Sequence, residues 1–249
     1  MLIHRDFTAQ YKQTLLGPLW HVINPLLATA AFSVVFGGIA GLSTDNQPRL
    51  LFYLAGYIPW MYFARTVGHV SNTFVMNAGL MAKVYFPRVV VPIASLGSNL
   101  VAVGVQLVLL AGLTIVHAVR HHDIGLSGWI LAMPLVLAIT AALSLGLGAL
   151  VAALATRYKD LTYAVNFGTG LLMYATPVVY PASLVSPEHR WWLMLNPMSP
   201  LIEAFRRGAL GVGTVTGGWM IYSLCASGIV LAVGLAIFGR ASRTFVDTI

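Results

Sequence analysis

Charge is scarce in this sequence. Charged residues make up 8% of the chain against a hydrophobic share of 58%, where soluble domains carry about a quarter charged residues. With a mean hydropathy of +0.83, this excludes a soluble globular chain and leaves an integral membrane protein. Lysine stands at three positions only, Lys12, Lys83 and Lys159, and none follows a glycine. The G-x-x-x-x-G-K cradle for nucleotide phosphates is therefore absent, and the chain is not an ATPase on its own. The seven acidic residues, Asp6, Asp45, Asp123, Asp160, Glu188, Glu203 and Asp247, lie outside or at the ends of the apolar runs. A carrier driven by protons or sodium would be expected to hold an ionisable group near mid-membrane, so this placement argues against one. The single cysteine, Cys225, excludes an internal disulfide, and its apolar neighbours mark it as a packing residue. His121 and His122 with Asp123 form an exposed pair in a loop without metal-ligand spacing, and no metal site is expected. No nucleophile with a base can be assembled, so neither catalysis nor a cofactor of its own is expected of this chain.

What is present is a series of apolar runs, at residues 19–42, 50–68, 89–117, 129–155, 161–180 and 219–238. Each approaches the roughly 20 residues that a helix needs to cross a hydrocarbon core of about 30 Å. They predict an all-α membrane protein of six transmembrane helices, forming a single transmembrane domain over residues 1–249. No cleavable signal core stands at the start, so the amino terminus is expected to stay in the cytoplasm. On that topology Arg5, Lys12, Arg65, Lys83, Arg88, Arg157, Lys159, Arg240 and Arg243 lie inside, nine of the 14 basic residues. Arg49, Arg120, Arg190, Arg206 and Arg207 lie outside, and the inside excess predicts both termini cytoplasmic. The same distribution accounts for the formal charge of +7 without a nucleic-acid partner.

Three segments are not plain connections. In residues 1–17, Ile3, Phe7, Tyr11 and Leu15 fall on one helical face and Arg5, Asp6, Lys12 and Gln13 opposite, which predicts an interfacial helix ended by Gly17-Pro18. An amphipathic helix packed on a soluble core would show the same wheel, but the composition argues against it. Residues 69–87 mix polar and apolar side chains and predict one or two helices at the cytoplasmic surface. Residues 181–218 are too apolar for a solvated loop and too broken by Pro181, Pro187, Pro197 and Pro200 to span; two short re-entrant helices are expected on the outer side. The loops at 43–49 and 120–128 read as ordinary turns, and the glycines and alanines of 143–155 suit close helix packing.

Aromatic residues recur at helical spacing. Tyr53, Tyr57 and Trp60 follow i, i+4, i+7 in the second run, and Tyr163, Phe167 and Tyr174 follow i, i+4, i+11 in the fifth. Two readings fit: a pathway of flat rings on which sugar C–H faces stack, or lipid-facing aromatics at the membrane interface.

The run Arg5-Asp6-Phe7, Tyr11-Lys12-Gln13-Thr14, Leu16-Gly17-Pro18-Leu19-Trp20 and Pro25 resembles the opening of the permease subunits of ABC-2 type exporters. The resemblance is strongest to those that move O-antigen, capsular polysaccharide or teichoic acid. Lys83-Val84-Tyr85-Phe86-Pro87-Arg88 with Pro92, and Asn196-Pro197, Pro200, Glu203 and Phe205-Arg206, resemble further segments of that family. The resemblance covers nearly the whole chain, although the stretch before the interface helix is shorter than in many members. It implies the ABC-2 exporter fold in the bacterial inner membrane, a homodimer, and two separate cytoplasmic nucleotide-binding subunits that carry ATP and Mg. A lipid-linked polysaccharide would be the substrate. Arg5, Tyr11 and Lys12 would then dock the ATPase, joined by a coupling element at Asn72, Thr73 and Asn77. For Lys83 and Arg88, anchoring at the inner surface and attraction of a lipid-linked diphosphate both fit. Glu203, Arg206 and Arg207 read either as a local ion pair at i+3 and i+4 or as part of an external gate. Alternatives are an ABC-2 permease for a small hydrophobic drug or lipid, a self-sufficient secondary carrier, and a membrane assembly factor.

Overall fold

The computed structural model describes residues 17–74, 88–121, 128–158 and 160–244. Among them all regular structure is helical, with no strand. Eight α-helices follow in order: α1 Trp20–Phe32, α2 Arg49–Ser71, α3 Val90–His121, α4 Met133–Ala155, α5 Leu161–Leu172, α6 Pro187–Met194, α7 Met198–Leu210 and α8 Gly217–Thr244. Four stretches are long and apolar enough to cross a membrane, Trp20–Ile39, Val90–Arg120, Gly128–Ala155 and Gly217–Ser242. They match the first, third, fourth and sixth of the expected runs.

The other two expected runs differ for separate reasons. Helix α2 has 23 residues, about 34 Å at 1.5 Å per residue, so its length suffices. It is the central helix, packed by α1, α3, α4, α5 and α7, and its three tyrosines with Arg49, Arg65 and His69 lower its hydropathy below that of the other four. Every residue from Leu51 to Trp60 is buried, as expected of a helix that is covered on all sides. The fifth run is not one helix. Helix α5 stops at Leu172 after 12 residues, about 18 Å, and the chain continues in turns through Val178. Pro177 has no N–H to extend the helix and disfavours helical backbone at Thr176, whose hydroxyl bonds back to Leu172 O at 2.5 Å.

Polar and small side chains hold the helices together. Asn99 Nδ2 on α3 donates to Thr66 Oγ1 on α2 at 3.1 Å in the buried interior. Thr29 Oγ1 donates to Pro25 O at 2.7 Å where the proline interrupts α1. Beyond Phe32 the α1 backbone widens, so that Ala40 N–H reaches Val35 O. The most extensive pair is α4 with α8. A Cβ built at Gly146 would stand 2.5 Å from Leu231 Cα, and one at Gly234 would overlap Gly146 O. The backbones thus meet directly, as the small residues of 143–155 predict. Leucine at Gly234 is expected to destabilise the bundle by about 1–3 kcal/mol, read as a lowered thermal midpoint in detergent; an unchanged midpoint would mean that the crossing shifts freely. Cys225 lies on the exposed side of α8, not in the packing between helices expected for it.

Two short helices, α6 and α7, lie within the 181–218 segment, whose prolines keep it from forming one long helix. Of α7, every residue but Arg207 is buried, so it belongs to the bundle itself. It packs against α2, α4, α8 and the turn at Gly128–Ala132.

Candidate functional site

The two poles of the bundle carry different chemistry. At the pole where α2 begins and α5 ends, Glu203 and Arg206 of α7 form an ion pair at 2.6 Å with side chains 1% and 0% exposed. Glu203 Oε1 also accepts Ala182 N–H at 3.4 Å, and Oε2 accepts Thr214 N–H at 2.9 Å and Thr214 Oγ1 at 3.3 Å. Arg206 Nη2 donates to Pro177 O at 2.8 Å and Val178 O at 3.2 Å, the carbonyls that the break after α5 leaves without helical partners. Its guanidinium lies 3.9 Å from the centroid of the Phe52 ring. Burial pushes the Arg206 pKa down from the ordinary arginine value, and Glu203 opposes that shift. A Cβ at Gly56 would stand 2.7 Å from Arg206 Nη2 and 2.9 Å from Val178 O, so only glycine admits this group beside α2.

The knot therefore joins α2, the α5 break, the 182 turn and the 211–216 loop through two side chains of one helix. The sequence spacing showed the pair but not these partners. Arg207 stands apart from it, with Nη1 on Val215 O at 3.0 Å and its guanidinium 4.7 Å from the Trp129 ring. The family-like Asn196 has a local task as well: its Oδ1 accepts Met198 N–H at 3.1 Å at the start of α7, and its Nδ2 donates to Thr176 Oγ1 at 3.1 Å. The 43–49 turn is also tied in, since Ser183 Oγ donates to Asp45 Oδ1 at 2.7 Å.

The six aromatic residues do not form one surface. Tyr53, Tyr57 and Trp60 are 0%, 9% and 2% exposed. Tyr53 and Tyr57 pack edge-on against Phe32 at 6.2 and 5.9 Å, and Trp60 leans on Phe63 at 5.4 Å. Their places on α2 put all three in the core of the single protomer. Tyr163, Phe167 and Tyr174 are 78%, 70% and 52% exposed. Tyr163 and Phe167 share an outer face of α5; Tyr174 lies past the end of the helix, with its ring 6.3 Å from Phe36.

At the opposite pole α2 ends beside the start of α5. Asn72 Nδ2 donates to Gly68 O at 2.9 Å, Thr73 is buried, and Phe74 stacks on Phe238 of α8 at 4.8 Å and 22°. Here a groove of about 360 Å³ opens between α2 and α5, lined by Met61, Ala64, Arg65, Gly68, His69 and Asn72 on one side and Asn166 on the other. Arg65, His69 and Asn72 are spaced i, i+4, i+7, a pattern legible in the sequence, where Arg65 is read as inside positive charge and Asn72 as part of the coupling element. Asn166 could be joined to them only by the fold. Arg88 is half-buried just before α3 and its Nη1 has no acceptor among the described residues. Arg5, Tyr11, Lys12, Asn77 and Lys83 lie outside the described residues, as do the 1–16 part of the interface helix and the 75–87 part of the coupling segment. Among the described residues no cluster of three His, Cys, Asp or Glu side chains is placed to hold a metal ion.

Comparison with known proteins bears on the whole of this arrangement. The chain is 26% identical over 248 residues to the O-antigen export system permease protein RfbA of Klebsiella pneumoniae, covering 99% of this chain and 93% of that one. It is 29% identical over 209 residues to the protein of the same name from Myxococcus xanthus, covering 82% and 77%. The capsule polysaccharide export inner-membrane protein CtrC of Neisseria meningitidis serogroup A is 22% identical over 250 residues, covering 97% and 90%. The family model for ABC-2 type transporter matches residues 1–210, a span that takes in the resembling motifs at both ends and both poles of the bundle. The chain is therefore a member of the ABC-2 type transporter family.

Proposed function

We propose that this chain is the transmembrane permease of an ATP-driven exporter that carries a lipid-linked polysaccharide from the inner to the outer side of a bacterial inner membrane. The observation that carries this reading is end-to-end similarity to permeases named for O-antigen and capsule polysaccharide export. The absence of a phosphate-binding loop supports a motor on separate subunits, two nucleotide-binding proteins with ATP and Mg, docked at the pole that holds residues 69–74. On this reading that pole is cytoplasmic, both termini lie inside, and α2 and α5 complete six crossings, α5 with the help of the 173–180 turns. Arg5, Tyr11, Lys12, Asn72, Thr73 and Asn77 would contact the motor. Glu203, Arg206 and Arg207 would hold α6 and α7 as the outer gate.

A second copy of the chain would complete the channel. Helix α5 leaves Tyr163 and Phe167 exposed in the single protomer, and a pathway between two such faces would offer rings for sugar C–H stacking. Such contacts tolerate many glycan sequences because they need no fixed hydrogen-bond pattern.

Export of a lipid-linked O-polysaccharide by the permease reconstituted with its ATPase tests the reading. Combining Tyr163→Ala with Phe167→Ala is expected to lower export roughly tenfold, the loss of two ring contacts, while co-purification with the ATPase persists. Wild-type export by that variant would remove both residues from the pathway. Wild-type protein that moves a small hydrophobic dye but no glycan would transfer the reading to drug or lipid export.

A further inference from the structure

Two arginines of this bundle invite comparison. Arg206 is enclosed and fully engaged, whereas Arg65 faces a groove. Arg65 lies six residues before the end of α2 at Ser71, about 9 Å along the axis, and lines the groove. Among the described residues it makes no ion pair, and no carboxylate lines the groove. Among the described residues the groove lining offers the Arg65 guanidinium and two amides, with no carboxylate.

We infer that this groove, between Arg65 and His69 of α2 with Asn72 at its end and Asn166 of α5, binds the phosphate groups of a lipid diphosphate. The inference rests on the proposed export function for its substrate class and assigns the headgroup to a place. A guanidinium presents paired N–H donors in the geometry of phosphate oxygens, and amide N–H groups add neutral donors on either side. The cavity of about 360 Å³ falls in the range of ligand sites, about 300–1,000 Å³. Asn72 is held in place by its bond to Gly68 O. Gly68 also sets the width, since a Cβ there would stand 3.2 Å from Asn166 Oδ1. Asn166 lies between Tyr163 and Phe167 in the sequence of α5, but neither ring lines the groove.

An anionic glycerophospholipid offers related chemistry, and the test separates the two. The permease–ATPase complex in phosphatidylcholine nanodiscs is titrated with a radiolabelled polyprenyl diphosphate that carries no sugar, with phosphatidylglycerol as competitor. Arg65→Gln is expected to weaken binding at least tenfold and Asn166→Leu, which fills the groove from the other wall, by a similar factor, both at an unchanged thermal midpoint. Arg65→Lys should recover part of the affinity, and tenfold excess phosphatidylglycerol should leave the probe bound. Wild-type affinity in Arg65→Gln would overturn the inference, and so would displacement of the probe by phosphatidylglycerol, which would assign the groove to bulk lipid. Should Arg65→Gln fail to fold, Asn166→Leu decides by the same criteria. Glycan export is measured on the same preparation. Export without Arg65-dependent binding would sink the headgroup site alone, and loss of both in the wild type would sink the exporter reading as well.

Discussion

Glu203→Ala is expected to lower the stability of the folded permease by about 3–5 kcal/mol, because it strands the Arg206 guanidinium inside the bundle. The effect is large because the two residues are not a surface pair. Arg206 is fully buried, and Glu203 is its one anionic neighbour among the hydrogen-bond partners described for it. The same substitution also removes the acceptor of Thr214 N–H and Ala182 N–H, so the 211–216 loop and the 182 turn loosen together. Gly213 adds to this dependence. Its φ of 156° and a built Cβ only 2.6 Å from Glu203 O show how closely that loop is folded over α7. A double replacement, Glu203→Leu with Arg206→Met, should recover at least half of the loss, since a buried pair exchanged for apolar groups of similar size is often neutral. Thermal midpoints of the three proteins in one detergent check this. A single variant with the wild-type midpoint, or a double variant worse than the single one, would show that the charge is not what holds the knot.

Trp60→Ala is expected to cost a comparable amount, about 3–5 kcal/mol, and the comparison with Phe167 makes it informative. Trp60 is enclosed by protein on the central helix, so its removal leaves a cavity that lipid cannot fill. Phe167 is exposed on α5, and Phe167→Ala should change the thermal midpoint by no more than an ordinary surface substitution, about 0.5 kcal/mol. Export should respond in the reverse order once the amount of folded protein is taken into account: per folded molecule, Phe167→Ala impairs transport and Trp60→Ala does not. Equal loss of stability in the two would mean that α5 is packed against protein over the face that the single protomer leaves open.

These two residues also show where reading the sequence stops. Both stand in aromatic series at helical spacing, and the spacing is real, yet it says only that the rings share a face, not which neighbour that face meets. For α2 the deciding fact is that five other helices surround it. A sequence hint existed: its apolar residues occupy every side for three turns, which is the mark of a covered helix. For α5 the hint was Thr176-Pro177, which ends a helix whatever the hydropathy of the window around it. Where the signal is local, prediction and structure agree. Examples are the two short helices between the prolines of 181–218, the small-residue crossing at Gly146, and the four strongly apolar runs. Where it is tertiary, they part. The i+3 spacing of Glu203 and Arg206 describes an ion pair on any helix, and only the fold reveals that it clasps carbonyls from Pro177 and Val178. Likewise Arg65 is one more positive residue until Asn166 is brought opposite it.

Helix α3 has 32 residues, roughly 48 Å from end to end, against a hydrocarbon core of about 30 Å. Its one proline, Pro92, stands in the first turn, so the shaft beyond it has no proline hinge. Each degree by which such a rod tilts moves one tip relative to the other by roughly 0.8 Å, given its length at 1.5 Å per residue. A push of a few ångströms at the Val90 tip is therefore enough, by leverage alone, to swing the His121 tip by as much on the far face of the membrane.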